Sequence, residues 1–252
     1  MKKYKLTNET IVHFGITLYR IEALMDFSDV KTGDKGGFVQ SENNLSHKGD
    51  CWVYGYAKVY GNAKVYGNAK VYDNAEVYDN AEVCGNANKV YGYAKVYDNA
   101  EVYDNAEVCG NAKVYGDAEV YGDAEVFGDA KVCGNAEVRG YAKVYDKACV
   151  FGNAEVYGYA KVYDKACVYG NAEVRGDAKI YKNSDYIVFK NWWSSGRYFT
   201  WTRSNNSWKV GCFYGNGEDL IKKAYADSEE SGREYERVVR YVENILADDL
   251  NK

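Results

Sequence analysis

At 252 residues the chain can form one long domain or two short ones, and its 46% apolar and 27% charged residues are ordinary for a soluble protein. A net charge of −5 argues against direct binding to free nucleic acid, no apolar run is long enough to span a membrane, and seven Cys without CxxC pairs argue against a disulfide framework or a structural zinc site. The 27 Tyr, the absence of Pro and the presence of only His13 and His47 are a biased alphabet, which points to internal repetition. Met1 to Thr7 lacks the apolar stretch of a secretory signal, so the expectation is a cytoplasmic protein with reduced thiols.

Residues 1–50 read as short strands and turns. Thr10 to Phe14, Thr17 to Ile21 and Gly37 to Val39 are apolar runs broken by Gly and Asp, and this segment is expected to cap the repetitive region that begins at Cys51. Residues 51–183 carry a six-residue repeat, Ala-Lys/Glu-Val-Tyr-Gly/Asp-Asn. Val recurs every six residues from Val53 to Val83 and from Val90 to Val174, ending at Ile180, which makes 22 hexads. Ala follows four places after each Val. Six is not a helical period. In Ala-Lys-Val-Tyr, the Ala and Val point to one side and the Lys and Tyr to the other, as in a strand. The next two residues tolerate left-handed backbone angles and make a corner. Residues 138–155 and 156–173 are 18-residue blocks that differ at two positions only, so three hexads close one coil. The result is a triangular prism of about seven coils, ~35 Å tall at ~4.8 Å per coil. Its interior is Val and Ala, with one extra residue near Asn88-Lys89.

Residues 184–252 leave the repeat. Tyr186 to Phe189, Tyr198 to Thr202 and Trp208 to Phe213 read as strands, with Asn205-Asn206-Ser207 as a hairpin turn. Helices are expected at Asp219 to Tyr225 and Ser231 to Leu246, the second with Tyr235, Val238, Val239, Val242, Ile245 and Leu246 on one face. The fold class is therefore mainly β, with a small α+β C-terminal domain.

The Val-Tyr-Gly-Asn-Ala-Lys hexad, over about half the chain, resembles the hexapeptide repeat of left-handed parallel β-helix proteins. Together with Lys35-Gly36-Gly37-Phe38-Val39, Glu42 to His47 and Gly211-Cys212-Phe213-Tyr214-Gly215, it is similar to a family of phage and prophage hexapeptide-repeat proteins of unassigned function. Left-handedness and a viral or mobile-element setting in a bacterial host are implied by that resemblance alone.

Stacking at 18 residues places side chains in outward columns. The Tyr columns suit a pleated surface and stack coil on coil, and they also offer contact area to a partner. An Asn corner column, Asn62 through Asn171, reads as structural. Glu82, Glu101, Glu119, Glu137, Glu155 and Glu173 form one column, with Arg139 and Arg175 placed to relieve the repulsion. Asp98 to Asp129 holds nine acidic residues against one Lys. The plainer reading of these charges is a solvated surface that resists stacking of copies. The functional alternative is an acidic face that mimics nucleic-acid phosphate and inhibits a host defence or nucleic-acid enzyme, with Glu101, Glu119, Glu137, Asp104 and Asp123 as candidate partner-binding residues. Trp192, Trp193, Trp201 and Trp208 are the second candidate surface.

No catalytic residue, cofactor or metal ligand stands out. Many left-handed β-helix proteins are acyltransferases that use a His at a groove between subunits, but here no His follows His47 and no loop interrupts the hexads. The expectation is a non-enzymatic module that binds a host or phage protein, or its own copies as a homo-oligomer.

Overall fold

The computed structural model describes residues 2–86 and 88–250. Twenty-two short strands, from Trp52–Val53 to Lys179–Ile180, wind into three parallel sheets that form the faces of the solenoid. The first face runs through Val59, Val77, Val96 and on to Val168. The second runs from Val65 to Val174, and the third from Val53 to Ile180. Strands pair in register at 18 residues, or at 19 across the extra residue, as in Lys70 with Lys89 and Val77 with Val96. Every inward Val and described Ala of the array is fully or almost fully buried. Asn88 takes one of the inward Ala places and is also fully buried. Its amide donates to the carbonyls of Cys84 and Val102, both at 2.6 Å, which is how a polar side chain is accommodated in an apolar column.

The corners need a positive φ. Gly supplies most of them, and Asp73, Asp79, Asp98, Asp104, Asp146 and Asp164 adopt φ between 58° and 60°. Gly134 shows the second demand of a corner. A Cβ there would lie 3.0 Å from the Gly152 backbone N of the next coil.

The solenoid begins earlier than the repeat. Strand β1 (Tyr4–His13) pairs antiparallel with β2 (Ile16–Ala23), and β2 with β3 (Lys35–Val39). Strand β3 then pairs parallel with the first face through Phe38–Lys58 and Val39–Val59, and Leu45 bridges Val65 on the second face. Val39, Leu45 and Val53 therefore make a complete first coil. The prism has eight coils rather than seven, and its start moves from residue 51 to about residue 38. Sequence periodicity missed this coil because the spacing from Leu45 to Val53 is eight residues and the Lys-Val-Tyr register is absent.

Between coils, the corner and strand-end bonds run from the N–H of one coil to the C=O of the next, as in Tyr60 to Val77, Tyr78 to Val96 and Tyr97 to Val114, all at 3.1 Å. The two ends are therefore chemically different, and each has its own kind of plug. At the start, donors meet carbonyls. The buried Lys3 ammonium reaches Gly49 O and Cys51 O at 3.1 and 2.7 Å. The Asn44 amide reaches Gly61 O and Ala63 O, and Tyr4 OH reaches Leu45 O. At the finish, acceptors meet N–H groups. Asn183 Oδ1 takes Cys167 N–H, Tyr186 Oη takes Tyr169, Thr200 Oγ1 takes Glu173, Ser204 Oγ takes Lys179 and Asp185 Oδ2 takes Tyr181. Unpaired strand edges would invite another chain; these side chains close them, and at the start of the first face β2 and β1 also pair onto β3.

The C-terminal domain is an antiparallel sheet of Tyr186–Lys190, Tyr198–Thr202, Ser207–Val210 and Phe213–Gly215, covered by helices α1 (Gly217–Asp227) and α2 (Glu229–Leu250). Both helices are longer than sequence periodicity marked. Asn216 caps α1, its side chain accepting from Asp219 N–H at 2.9 Å.

Candidate functional site

The outward Tyr columns have two jobs, and one is electrostatic. On the first face Tyr60, Tyr78, Tyr97 and Tyr115 stack at centroid distances of 5.0, 4.9 and 5.0 Å, within 2° of parallel. Where the next coil carries a Glu, the phenol can also reach its carboxylate. Tyr66 OH donates to Glu82 at 2.7 Å, Tyr103 to Glu119 at 2.7 Å and Tyr121 to Glu137 at 2.9 Å, always 16 residues apart. Arg139 bridges Glu137 and Glu155 at 3.4 and 2.5 Å. Arg175 does not relieve the Glu column; it lies over the rings of Tyr157 and Tyr214. Of the candidate carboxylates, then, Glu119 and Glu137 are held inside the scaffold. Asp123 accepts from Asn105 at 3.1 Å, as part of a corner amide ladder.

Glu101 is the exception. The residue that should donate to it is Cys84, which interrupts the Tyr column. Burial and the neighbouring carboxylates Glu119 and Glu82 push the Glu101 carboxyl up from its ordinary value, whereas the Tyr66 phenol and then Lys64 pull Glu82 down. The two residues are ladder neighbours with opposite shifts, and the phenol is the largest downward influence on Glu82. Asp104 sits at the adjacent corner with φ of 60°, which gives it a backbone role there.

The four Trp of the C-terminal domain separate sharply. Trp201 and Trp208 are 0% and 2% exposed and form the domain core with Phe199, Leu220 and Val239. They cannot touch a partner, which corrects the expectation that all four share one surface. Burial was hidden in the sequence because Tyr198-Phe199-Thr200-Trp201-Thr202 is apolar or weakly polar on both sides. Trp193 is half-buried and meets Tyr235 edge-on at 5.1 Å. Trp192 is 73% exposed and stands perpendicular to Trp193 at 5.1 Å.

Beside these residues lies a cavity of about 310 Å³ between the sheet and α1. Arg197, Cys212 and Lys223 line it, with Val210, Phe213 and Leu220 as its apolar wall. Sequence reading flagged Cys212 but neither basic residue, since they belong to no motif.

Both His lie in the N-terminal segment. His47 stacks on Tyr4 at 4.3 Å and its Nδ1 accepts from Lys3 N–H, in keeping with a packing role. His13 lies over the first face, with Nε2 3.4 Å from a Glu76 carboxylate oxygen. Burial works to raise the Glu76 carboxyl, but Lys95, His13 and Lys58 outweigh it and hold it low. Cys149 and Cys167 are in-register neighbours on the first face, as their spacing suggested. Burial and the Cys167 thiol push Cys149 up to about 11, so its nucleophilic thiolate is scarce. Among the described residues no group of three or more His, Cys, Asp or Glu is arranged to hold a metal ion, and no helix is long and apolar enough to cross a membrane.

No family profile matches the chain. One curated relative is the "Uncharacterized acetyltransferase YdcK" of Escherichia coli (strain K12), 34% identical over 62 residues, or 21% of this chain. The match covers 19% of that protein, so the chain spans about a fifth of the relative's length. It is consistent with a shared hexapeptide-repeat architecture.

Proposed function

We propose that the protein is a non-catalytic binding and assembly module, in which the solenoid is a rigid spacer and the C-terminal domain presents the contact. The observation that carries this reading is Trp192, exposed and held edge-on to Trp193 in a domain whose other large aromatics are mostly packed inside. A rigid exposed Trp offers binding area at low entropy cost and is enriched among residues that dominate interfaces. The phage or prophage setting belongs to this reading and rests on the resemblance of the repeat flanks. The test is affinity capture from bacterial lysate with the wild type and Trp192→Ala, read by quantitative mass spectrometry. A partner retained by the wild type and lost by the variant supports the proposal; identical captured sets overturn it.

Acyl transfer is the second reading, favoured by the partial match to a protein named as an acetyltransferase. His13 beside Glu76 is its natural base. Calorimetry with acetyl-coenzyme A decides it, and absence of binding removes it. The acidic-decoy reading narrows to Glu101, since Glu119 and Glu137 already hold phenols. Charge reversal at Glu101 that leaves every captured partner in place would end it.

A further inference from the structure

We infer that the cavity between the C-terminal sheet and α1 binds a small anion carrying a short apolar chain. The inference is separate from the protein-binding role of Trp192. At about 310 Å³ the cavity is at the small end of ligand sites, large enough for a medium-chain carboxylate or an alkyl phosphate.

Its walls divide by chemistry. Val210, Phe213, Leu220 and Ala224 supply an apolar side suited to a hydrocarbon chain. Arg197 and Lys223 supply two cations, and neither has a carboxylate within ion-pair distance among the described residues. Elsewhere in the domain Arg203 pairs with Asp249, Arg237 with Glu234, and Arg240 with Glu218 and Glu243. Lys223 lies over the Phe213 ring at 5.9 Å, which puts its charge beside the apolar wall. An ammonium there, joined by a guanidinium able to grip two oxygens, suits a carboxylate or phosphate headgroup.

The rim is preorganised. Asn191, 2% exposed, donates to Ser194 Oγ and Tyr235 Oη at 3.0 and 3.3 Å and accepts from Ser194 N–H at 2.8 Å. This network fixes the loop that carries Arg197. Tyr235 also meets Trp193, so occupancy should register in Trp193 fluorescence. Asp227 is the one acid on the lining, and it should weaken an anion.

The experiment uses the full chain with three probes: sodium octanoate, octyl phosphate and octanol. Binding is read by Trp fluorescence and by protection of Cys212, the most exposed of the seven cysteines, from maleimide. At least one anionic probe should bind and shield Cys212, with octanol much weaker, and whichever anion binds better names the headgroup. Arg197→Ala and Lys223→Ala should each weaken binding roughly tenfold, the scale of one charge-assisted hydrogen bond. Asp227→Asn should tighten it. Arg197→Lys keeps the charge but not the two-oxygen grip and should bind between the wild type and Arg197→Ala. The proposal falls if octanol binds as well as the anions, if no probe protects Cys212, or if Arg197→Lys loses binding as fully as Arg197→Ala.

Discussion

Cys84 interrupts a Tyr column and leaves Glu101 without a phenol, so Cys84→Tyr should stabilise the fold. The new ring would stand between Tyr66 and Tyr103, continuing the spacing seen for Tyr103 and Tyr121 at 4.7 Å. Two added ring pairs contribute about 1–3 kcal/mol together. A phenol–carboxylate bond adds about 1 kcal/mol at this exposed position, less than in a buried site. The expected gain is roughly 2–4 kcal/mol at neutral pH, and Cys84→Phe should recover the stacking part alone. The sign with pH follows from the two carboxyls. Glu101 is raised in the folded wild type, so the fold loses stability as pH climbs from the ordinary value of 4.5 through the raised one. In Cys84→Tyr the carboxyl should drop below 4.5, as Glu82 does beside Tyr66, and its contribution should be present above 4.5 and lost as pH falls through the lowered value. The advantage of Tyr over Phe at this position should therefore grow from about pH 3 to about pH 7. Urea unfolding of the full chain, followed by circular dichroism and Trp fluorescence, measures this; two probes are needed because solenoids can unfold in parts. A variant no more stable than wild type, or a Tyr–Phe difference that is flat in pH, would refute the reasoning.

Trp201→Ala should cost about 3–5 kcal/mol through the cavity left in the core, whereas Trp192→Ala should stay within about 0.5 kcal/mol, both read by thermal unfolding. Thr200→Val keeps the side-chain shape and strips the acceptor from Glu173 N–H; a loss of about 1–3 kcal/mol is expected in urea. Lys3→Met removes the donor that serves two carbonyls at the other end and should cost a similar amount, about 1–3 kcal/mol, with early exchange of the amides in residues 49–53 by hydrogen–deuterium exchange.

Legibility followed the repeat. The hexad alternation fixed strand, corner and facing because the side-chain period of a strand is two and each outcome is local. The near-identical blocks at 138–173 gave the coil length, and with it the Asn ladder from Asn62 to Asn80 to Asn99 and the Cys149–Cys167 pair. The Tyr-to-Glu bonds were one step further away. They depend on how far a phenol reaches along the prism axis, which no column assignment states. The first coil was hidden because the six-residue step from Val39 to Leu45 is followed by one of eight to Val53, without the Lys-Val-Tyr register. In the C-terminal domain the first two strands and the hairpin were readable, but the expected single strand from Trp208 to Phe213 turns back at Gly211, φ 54°, into two antiparallel strands. Trp201 and Trp192 differ in exposure through tertiary packing, which composition does not encode.

The donor plug on one side and the acceptor plug on the other leave the middle of the array free to vary. At its corners and strand ends every coil offers carbonyls to the coil before it and N–H groups to the coil after it, so an 18-residue block can be added or removed without disturbing either plug. Residues 138–155 and 156–173, nearly a duplicate, look like such an event. Each insertion would move the Trp192-bearing end about 4.8 Å further from the N-terminal hairpin. The distance between the two termini is thus a quantity that gene duplication can dial in fixed increments, as on a ruler.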